Sequence, residues 1–151
     1  MDDLSIRDAT PDDATAISAL VQRTVQISNQ RDYPVATVQS IVANFAADKV
    51  AGRMRERRTF VCLKDGHIVG TIALGGDRLR TLFVEPALQG AGIGALLVGH
   101  LEEHAQKAGV SELKLSSSLT ARGFYERLGY RMLQPEEHDG VSTWLMAKTL
   151  S

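Results

Sequence analysis

The sequence predicts an α+β fold, and three observations support this prediction. Seven segments have the composition of β-strands, and four others place apolar residues at the spacing of an amphipathic helix. Their order along the chain is strand, two helices, three strands, helix, strand, helix and two strands. This order is mixed rather than strictly alternating, which favours an α+β domain over a doubly wound one. The length of 151 residues suits one domain, spanning 1–151.

The first predicted helix follows the short strand SIRDA and begins at a strong start signal. Thr10 can cap the helix and Pro11 suits its first turn. Asp12 and Asp13 complement the positive end of the helix dipole. The apolar face that follows is formed by Ile17, Leu20, Val21, Thr24 and Val25.

A second helix and three antiparallel strands are predicted next. Pro34 interrupts the first helical pattern, and the second helix runs from about Thr37 to Ala47. The segment RTFVCLKDGHIVGTIAL predicts two strands joined at Asp65-Gly66, a dipeptide typical of a tight hairpin turn. A third strand, Arg78–Val84, ends before Pro86.

The second half of the chain predicts a long helix, a strand, a short helix and two final strands. Gly109 is expected to end the long helix in the left-handed conformation, and Gly129 closes the short helix TARGFYERLG. The strand between these helices is SELKLSSS, and the last two strands flank the loop HDG. The buried stripe of the long helix is predicted to be Ile93, Leu96, Leu97, Leu101, Ala105 and Ala108.

Composition and charge exclude several classes of protein. Hydrophobic residues make up 44% of the chain and charged residues 23%, which is ordinary for a soluble domain. The net charge of −1 favours neither nucleic acid nor an anionic membrane as a partner. The acidic start lacks signal-peptide character, and no apolar run approaches the ~18 residues that span a membrane. We therefore expect a cytoplasmic protein.

Cysteine and histidine content predicts neither a disulfide nor a metal site. Cys62 is the one cysteine, and in its strand-like run it is expected to be a small buried residue. His100 and His104 are one helical turn apart, but the sequence offers them no third ligand. We expect no metal cofactor.

Gly90, Gly92 and Gly94 stand at the start of the long helix, where each interior glycine costs about 1 kcal/mol relative to alanine. The first N–H groups of a helix have no internal partner and attract anions, and glycine lets a phosphate approach them closely. The spacing matches neither the dinucleotide fingerprint G-x-G-x-x-G nor a phosphate loop with Gly-Lys-Ser/Thr. Two interpretations stay open: a pyrophosphate cradle, or small residues that permit close strand–helix packing.

The stretch VEPALQGAGIG, Val84 to Gly94, resembles the signature V-x-P-x-x-R/Q-x-x-G-x-G/A of the GNAT superfamily of N-acetyltransferases. The stretch from Leu115 to Tyr130, with TARGFYERLGY, is similar to the second conserved region of that family. With the matching element order, the resemblance covers nearly the whole chain. It implies a GNAT-like acyl-CoA N-acyltransferase fold: a mixed, mostly antiparallel seven-stranded sheet flanked by about four helices. It also implies direct acetyl transfer from acetyl-CoA, as cosubstrate, to a primary amine in a ternary complex.

The resemblance further implies where acetyl-CoA binds. The fourth strand would part from the fifth after Val84, and the backbone of Leu82, Phe83 and Val84 would pair with the pantetheine arm. An N–H of this stretch would polarise the thioester carbonyl. Ser118 stands where the family often has asparagine, and its hydroxyl has a shorter reach towards the cofactor arm. The pyrophosphate would be held by the main-chain amides of Gln89, Gly90, Ala91, Gly92, Ile93, Gly94 and Ala95.

Catalytic roles also follow from the resemblance. Tyr125 falls on the general-acid position, where a phenol that is protonated at neutral pH can give its proton to the thiolate leaving group. The alternative for Tyr125 is packing beside Phe124. Glu85 is the candidate general base, acting directly or through water, and the alternative is an exposed turn residue.

The acceptor is not specified by the sequence beyond a small-molecule or peptide amine. Tyr33 occupies a region that often lines the acceptor pocket in this family, and His138 lies in a predicted loop near the substrate side. Homodimers through the C-terminal strands, here around Trp144, are common in such folds. The alternative function is a non-catalytic acyl-CoA sensor or regulatory module. A solvated face, or a site for an acidic substrate or the CoA 3′-phosphate, is formed by Arg53, Arg55, Arg57 and Arg58.

Overall fold

A computed structural model describes residues 4–27, 34–138 and 141–151 of the chain. Its α-helices and strands follow the predicted order, with an additional helix in the first half. Short 3-10 turns precede the first helix, at Pro11–Asp13, and follow the fourth strand, at Pro86–Leu88. The elements are β1 Leu4–Asp8, α1 Ala14–Ile27, α2 Val35–Asn44, α3 Ala47–Arg53, β2 Arg58–Lys64, β3 His67–Gly75, β4 Arg78–Val84, α4 Ile93–Lys107, β5 Glu112–Ser117, α5 Arg122–Arg127, β6 Arg131–His138 and β7 Val141–Thr149.

All seven strands form one sheet in the order β1-β2-β3-β4-β5-β7-β6. Every neighbouring pair is antiparallel except β4 and β5, which are parallel. The apolar sides of α4 and α5 pack on one face of the sheet, around Phe60, Ile72 and Leu115. Helices α1 to α3 pack on the other face, around Val61 and Phe83. The predicted α+β class and mixed, mostly antiparallel sheet are confirmed.

The number of helices differs from the prediction by one. The predicted second helix, from about Thr37 to Ala47, corresponds to α2, whereas α3 lies in a segment for which no helix was predicted. Helix α2 stops at Phe45, whose ring meets the Phe83 ring edge-on at 5.5 Å between centroids. The Ser18 hydroxyl on α1 donates to the Phe45 carbonyl at 2.6 Å, and Ala46 is extended. These tertiary contacts lie where α2 ends, just before α3 begins. None of the described helices is long and apolar enough to cross a membrane.

The buried stripe of α4 is confirmed for Ile93 and for three further predicted residues at helical spacing, Leu97, Leu101 and Ala105. The predictions for Leu96 and Ala108 were wrong: Leu96 is 50% exposed and Ala108 is also exposed, whereas Val98 is buried. The close approach of α4 to β3 determines which side chains of the helix face the sheet. A Cβ at Gly70 would lie 2.9 Å from Leu97 Cδ1, so the helix sits directly over Gly70.

Local turn signals were reliable. Asp65 and Gly66 both have positive φ, 52° and 82°, as a two-residue hairpin turn between β2 and β3 requires. Gly109 and Gly129 also have positive φ, as predicted for residues that end helices. Cys62 is fully buried, and desolvation raises the pKa of its thiol. Residues 139 and 140 of the predicted HDG loop lie outside the described residues.

The start signal at Thr10 includes an interaction that the sequence did not predict. The carboxylate of Asp13 accepts the Thr10 N–H at 2.8 Å, which caps the following helical segment. The same carboxylate accepts two bonds from the Arg7 guanidinium on β1, at 2.8 and 3.0 Å. Hydrogen bonding to Arg7 holds the pKa of Asp13 below its usual value. This paired carboxylate joins β1 to the start of α1.

We predict that Asp13→Asn lowers the free energy of unfolding by about 1–2 kcal/mol at neutral pH, because it removes charge-assisted bonds to Arg7. A depressed folded-state pKa stabilises the protein above the unfolded-state pKa of about 4, and this stabilisation is lost as pH falls through the folded-state value. The difference between wild type and Asp13→Asn in urea unfolding should therefore shrink below about pH 4.

Asp12→Asn is the matched control, since Asp12 is exposed and makes no hydrogen bond with a described residue. Its effect should stay within about 0.5 kcal/mol at both pH values. A constant difference for Asp13→Asn from neutral to acid pH would contradict the Arg7 pairing as the source of the stability.

Candidate active site

A cleft opens in the middle of the sheet because β4 and β5 diverge. Among the described residues, the two strands pair at one position, Arg78 opposite Lys114. Strand β4 then follows β3 as far as Val84, whereas β5 follows β7 as far as Ser117. The prediction that the strands part after Val84 was wrong, since they part just after Arg78. Each strand is held by its outer neighbour, and the cavity between them has a volume of about 790 Å³.

The backbone of Leu82, Phe83 and Val84 lines this cleft, as predicted. On the side of β5, this stretch of β4 has no strand partner among the described residues. An edge of this kind exposes N–H and C=O groups that an extended ligand can pair with. The earlier divergence therefore lengthens the available edge.

Two of the three glycines in the stretch that resembles the signature are required by backbone conformation. Gly90 has φ of 89° and Gly92 has φ of 88°, and a Cβ at either would meet nothing within 4 Å. Positive φ is costly for other residues, so these positions favour glycine although space is open around them. Gly94 differs, because a Cβ there would lie 3.1 Å from Phe124 Cζ on α5. Close packing therefore explains Gly94, whereas backbone conformation explains Gly90 and Gly92 and leaves the space beside them open to a ligand.

The turn before α4 presents a row of main-chain donors to the cleft. Of the seven predicted amides, Gln89 donates to the Pro86 carbonyl at 3.4 Å and Ala91 to the Leu88 carbonyl at 3.2 Å. The first bond of the helix runs from Leu96 to the Gly92 carbonyl. The amides of Gly90 and of 92–95 donate to no main-chain oxygen of the described chain. These five donors lie near the positive end of the α4 dipole, an arrangement that suits an anion, and we refer to them as the anion cradle.

The side chain of Gln89 ties this turn to the end of β4. Its amide nitrogen Nε2 donates to the Val84 carbonyl at 3.2 Å. Gln89 itself lines the cleft together with Gly90, Gly92, Ile93, Gly94 and Ala95. The signature glutamine thus has a structural function in positioning the main-chain donors.

Tyr125 lies in α5, on the opposite side of the cleft from β4. Its side chain is 7% exposed and packs edge-on against the rings of Phe124 and Tyr130, at 5.1 and 5.8 Å between centroids. Its hydroxyl makes no hydrogen bond with a described residue. Desolvation raises the pKa of Tyr125, so the phenol keeps its proton at neutral pH. The ring of Tyr125 packs beside Phe124, as the alternative interpretation predicted. Because Tyr125 also lines the cleft, the general-acid role remains available.

Ser118 lines the cleft and also shapes the start of α5. Its hydroxyl oxygen accepts the Ala121 N–H at 3.2 Å. The buried Ser117 hydroxyl donates to the Ser118 carbonyl at 2.8 Å. Serine thus closes this turn with its own side chain, and the hydroxyl proton of Ser118 is still available to a ligand.

Glu85 is not brought into the cleft wall. Its carboxylate accepts the Arg23 guanidinium of α1 at 2.6 Å, and its main-chain N–H donates to the Val69 carbonyl at 2.8 Å. The side chain is 24% exposed, so it is neither a fully exposed turn residue nor a buried base. The ion pair instead joins α1 to the end of β4.

Other predicted residues lie apart from the cleft or outside the described structure. His100 and His104 each pack against the Phe60 ring, at 4.8 and 4.9 Å between centroids. Within 4–27, 34–138 and 141–151, no group of three His, Cys, Asp or Glu residues could hold a metal ion. Tyr33 falls outside these ranges, and the side chain of His138 also lies outside the described part of the structure.

Several cleft residues were not predicted. They lie on α1, α2, β4, α5 and β7, and no local motif marks them, since the crossing of these elements over the sheet brings them together. The signature predicts a cleft beside β4, and the stretch from Leu115 to Tyr130 predicts Ser118 and Tyr125 on the opposite wall, but neither stretch marks these further residues. These residues include Thr24, Ile41, Phe45, Arg80, Thr81 and Thr143.

Comparison with known proteins agrees with this geometry. The family described as the acetyltransferase (GNAT) domain matches residues 26–150. The uncharacterized N-acetyltransferase YafP of Escherichia coli is 23% identical over 144 residues, which are 95% of this chain and 92% of YafP. Other relatives match over shorter stretches: the chain spans less than half of two Bacillus subtilis proteins, 41% of YyaT and 49% of a putative acetyltransferase.

Solved structures are similar over nearly the whole chain. A GCN5-related N-acetyltransferase from Rhodopseudomonas palustris is 26% identical with a TM-score of 0.90, covering 97% of this chain and 95% of that one. The PaiA N-acetyltransferase of Thermoplasma acidophilum, solved in complex with coenzyme A, is 19% identical with a TM-score of 0.83. It covers 97% of this chain and 99% of its own.

We predict opposite effects for two alanine substitutions near α4. Gly92→Ala should lower the free energy of unfolding by about 1–2 kcal/mol, because it forces a Cβ into the left-handed region. Gly99→Ala is the matched control within the same helix, where an added Cβ meets nothing within 4 Å and φ is not positive. It should stabilise the protein by about 0.5–1 kcal/mol. Urea unfolding of both variants measures this, and stabilisation by Gly92→Ala would contradict the strained turn.

Proposed function

The chain belongs to the GNAT family of acetyltransferases, and from this premise we propose that it is a single-domain enzyme that acetylates a primary amine. The acetyl group moves from acetyl-CoA directly to the amine in a ternary complex. One observation carries the proposal: the row of main-chain donors at the start of α4, unpaired within the described chain, opens into the same cleft whose opposite wall includes Tyr125. The first feature suits a diphosphate, and the second suits a leaving thiolate.

The anion cradle and the β4 edge fit the two polar parts of a coenzyme A thioester. Amides of Gly90 and of 92–95 would hold the diphosphate, and the open space around Gly90 and Gly92 leaves room for its oxygens. The edge of β4 from Leu82 to Val84 offers main-chain groups for the amides of the pantetheine arm. A cleft of about 790 Å³ is large enough to bind such a ligand along its length.

The transfer step needs a nucleophilic amine and a stabilised leaving group. The amine nitrogen attacks the thioester carbonyl carbon, the C–S bond breaks, and the sulfur takes a proton. Because burial raises the pKa of Tyr125, its hydroxyl is present as a donor at neutral pH. The same low-dielectric cleft destabilises a thiolate, and it therefore raises the proton affinity of the departing sulfur. We propose that Tyr125 donates to this sulfur and regains a proton from solvent.

The amine must lose a proton before or during attack, and the sequence proposes Glu85 as the base. Because its carboxylate does not line the cleft and is bound by Arg23, Glu85 can act only through water. This same observation favours the second candidate function, a non-catalytic acyl-CoA sensor, since no carboxylate or histidine lines the cleft among the described residues.

Release of free thiol from acetyl-CoA decides between the enzyme and the sensor. With a broad panel of primary amines, we expect at least one amine to raise thiol release clearly above the rate without amine. Acetyl-CoA should also raise the melting temperature of the protein, whereas ATP and NAD should not. Thermal stabilisation by acetyl-CoA without thiol release for any amine would favour the sensor. Stabilisation by ATP or NAD alone would overturn both.

Tyr125→Phe should lower kcat by about 100-fold, since general acid catalysis contributes on this order. The ring packing against Phe124 and Tyr130 is retained, so the Kd for acetyl-CoA should hardly change. Steady-state thiol release at saturating amine measures kcat, and thermal shift with acetyl-CoA measures binding. An unchanged kcat would remove Tyr125 from the acid role.

Two further variants act as controls in the same assay. Tyr130→Phe removes a hydroxyl that donates to Glu102 at 2.8 Å outside the cleft, and it should keep its kcat. Glu85→Gln tests the base. A water-mediated role is supported if kcat/KM falls and its pH profile loses the acid limb. An unchanged pH profile assigns the amine proton to solvent alone.

A further inference from the structure

Three arginines meet at the end of the cleft where β4 and β5 begin to diverge. Arg53 ends α3, Arg57 precedes β2, and Arg80 lies on β4. Arg53 and Arg57 line a smaller cavity of about 30 Å³, and Arg80 lines the large cleft. Thr81 and the ring pair Phe45 and Phe83 line both cavities, which are therefore adjacent. The arginine cluster, defined as Arg53, Arg57 and Arg80, stands beside the cleft on the side of α1 to α3.

A β-bulge places Arg80 in this cluster. Ala73 is opposite Thr81 and Leu74 is opposite Leu79, so Arg80 is an extra residue without a partner on β3. A Cβ at Gly75 would lie 3.1 Å from Arg80 Cγ and 3.5 Å from Arg57 Cγ. The two side chains thus flank one glycine. Bulges often re-aim a side chain next to a functional site.

None of the three guanidinium groups forms an ion pair with a described residue, although the Glu56 carboxylate partly offsets the positive charge around Arg57. Burial, together with the charges of Arg80 and Arg53, lowers the pKa of Arg57. Arg53 stacks over Phe45 at 4.7 Å, and its Nη1 is buried without a hydrogen-bond partner. Like charges and an unsatisfied buried donor destabilise the protein unless an anion compensates them.

The basic run is formed by the four arginines at 53, 55, 57 and 58. Its other two members, Arg55 and Arg58, do not share these features. Arg55 lines neither cavity, although it is exposed as Arg80 is. Arg58 pairs with Asp8 at 3.1 Å. The structure therefore selects two of the four arginines in the run and adds Arg80 from a different strand.

We propose that the arginine cluster binds a compact anionic group, a carboxylate or a phosphate, carried by the amine acceptor. This rests on the proposed function and names the class of acceptor: a primary amine with a negative charge a few bonds away. Arg80 and Val84 are four residues apart along β4, about 13 Å at the rise of a strand. The arginine cluster is therefore a second anion site, separate from the diphosphate cradle. Guanidinium forks match the planar oxygens of a carboxylate, and they bind phosphate as well.

Matched amine pairs test this proposal, with kcat/KM measured by thiol release from acetyl-CoA. Glycine against glycinamide and β-alanine against β-alaninamide test the carboxylate, and O-phosphoethanolamine against ethanolamine tests the phosphate. We expect the wild type to prefer the anionic member of at least one pair. That pair identifies which anion is recognised. Because the two members differ in amine pKa, the informative quantity is the preference of the wild type relative to each variant.

Arg80→Gln and Arg57→Gln should each reduce this preference about tenfold, as expected for loss of a charge-assisted hydrogen bond. Arg55→Gln is the matched control and should retain it. Without ligand, Arg80→Gln should keep or raise the melting temperature, because it relieves repulsion with Arg57. A merely structural role of Arg80 would lower the melting temperature and leave the preference unchanged.

Three results would overturn the proposal. One is an unchanged preference in both cluster variants. Another is a raised KM for acetyl-CoA that disappears with 3′-dephospho-acetyl-CoA, which would assign the cluster to the cosubstrate. If no amine supports thiol release, the proposed function fails instead, and anion binding by the arginine cluster is then tested by thermal shift. In that case the anionic member of a pair should raise the melting temperature of the CoA-bound wild type but not of Arg80→Gln. The third overturning result is a melting temperature that shifts in neither protein.

Discussion

The separation of β4 from β5 is the constraint on which the site depends. Each strand stays paired with its outer neighbour, β4 with one bulge at Arg80, so the sheet stays continuous at Arg78 and Lys114 while its centre opens. Buried main-chain groups must find partners, and along β4 these partners have to come from water or a ligand. The cleft is therefore built into the hydrogen-bonding pattern of the sheet and does not depend on a mobile loop.

The two faces of the sheet contribute different chemistry to this opening. From one face, α4 supplies main-chain donors and α5 supplies the buried Tyr125. From the other, α1 and α2 supply Thr24, Ile41 and Phe45 as a largely apolar wall. Only at the gap between β4 and β5 can groups from opposite faces meet. A reaction that joins two substrates fits such a geometry, because each substrate can approach from its own face of the sheet.

Several features of the site cost stability, and this cost is consistent with function. Gly90 and Gly92 keep a left-handed turn in which no packing contact would exclude a side chain. Arg53, Arg57 and Arg80 gather like charges beside a cavity. By contrast, Asp13 is paired with Arg7 and Glu85 with Arg23. Local destabilisation is thus concentrated around the cleft, where ligands can offset it.

Local signals in the sequence determined most of the elements and the anion cradle. The hairpin at Asp65-Gly66, the helix ends at Gly109 and Gly129 and the donor turn around Gly92 each depend on residues within a few positions, which a sequence pattern contains. The tertiary structure alone decided where β4 and β5 part, that α2 ends at Phe45, that Leu96 faces solvent, and that a bulge turns Arg80 towards Arg57. These features depend on strand register and on contacts between distant segments, and no local pattern encodes which neighbour a strand edge or helix face will meet.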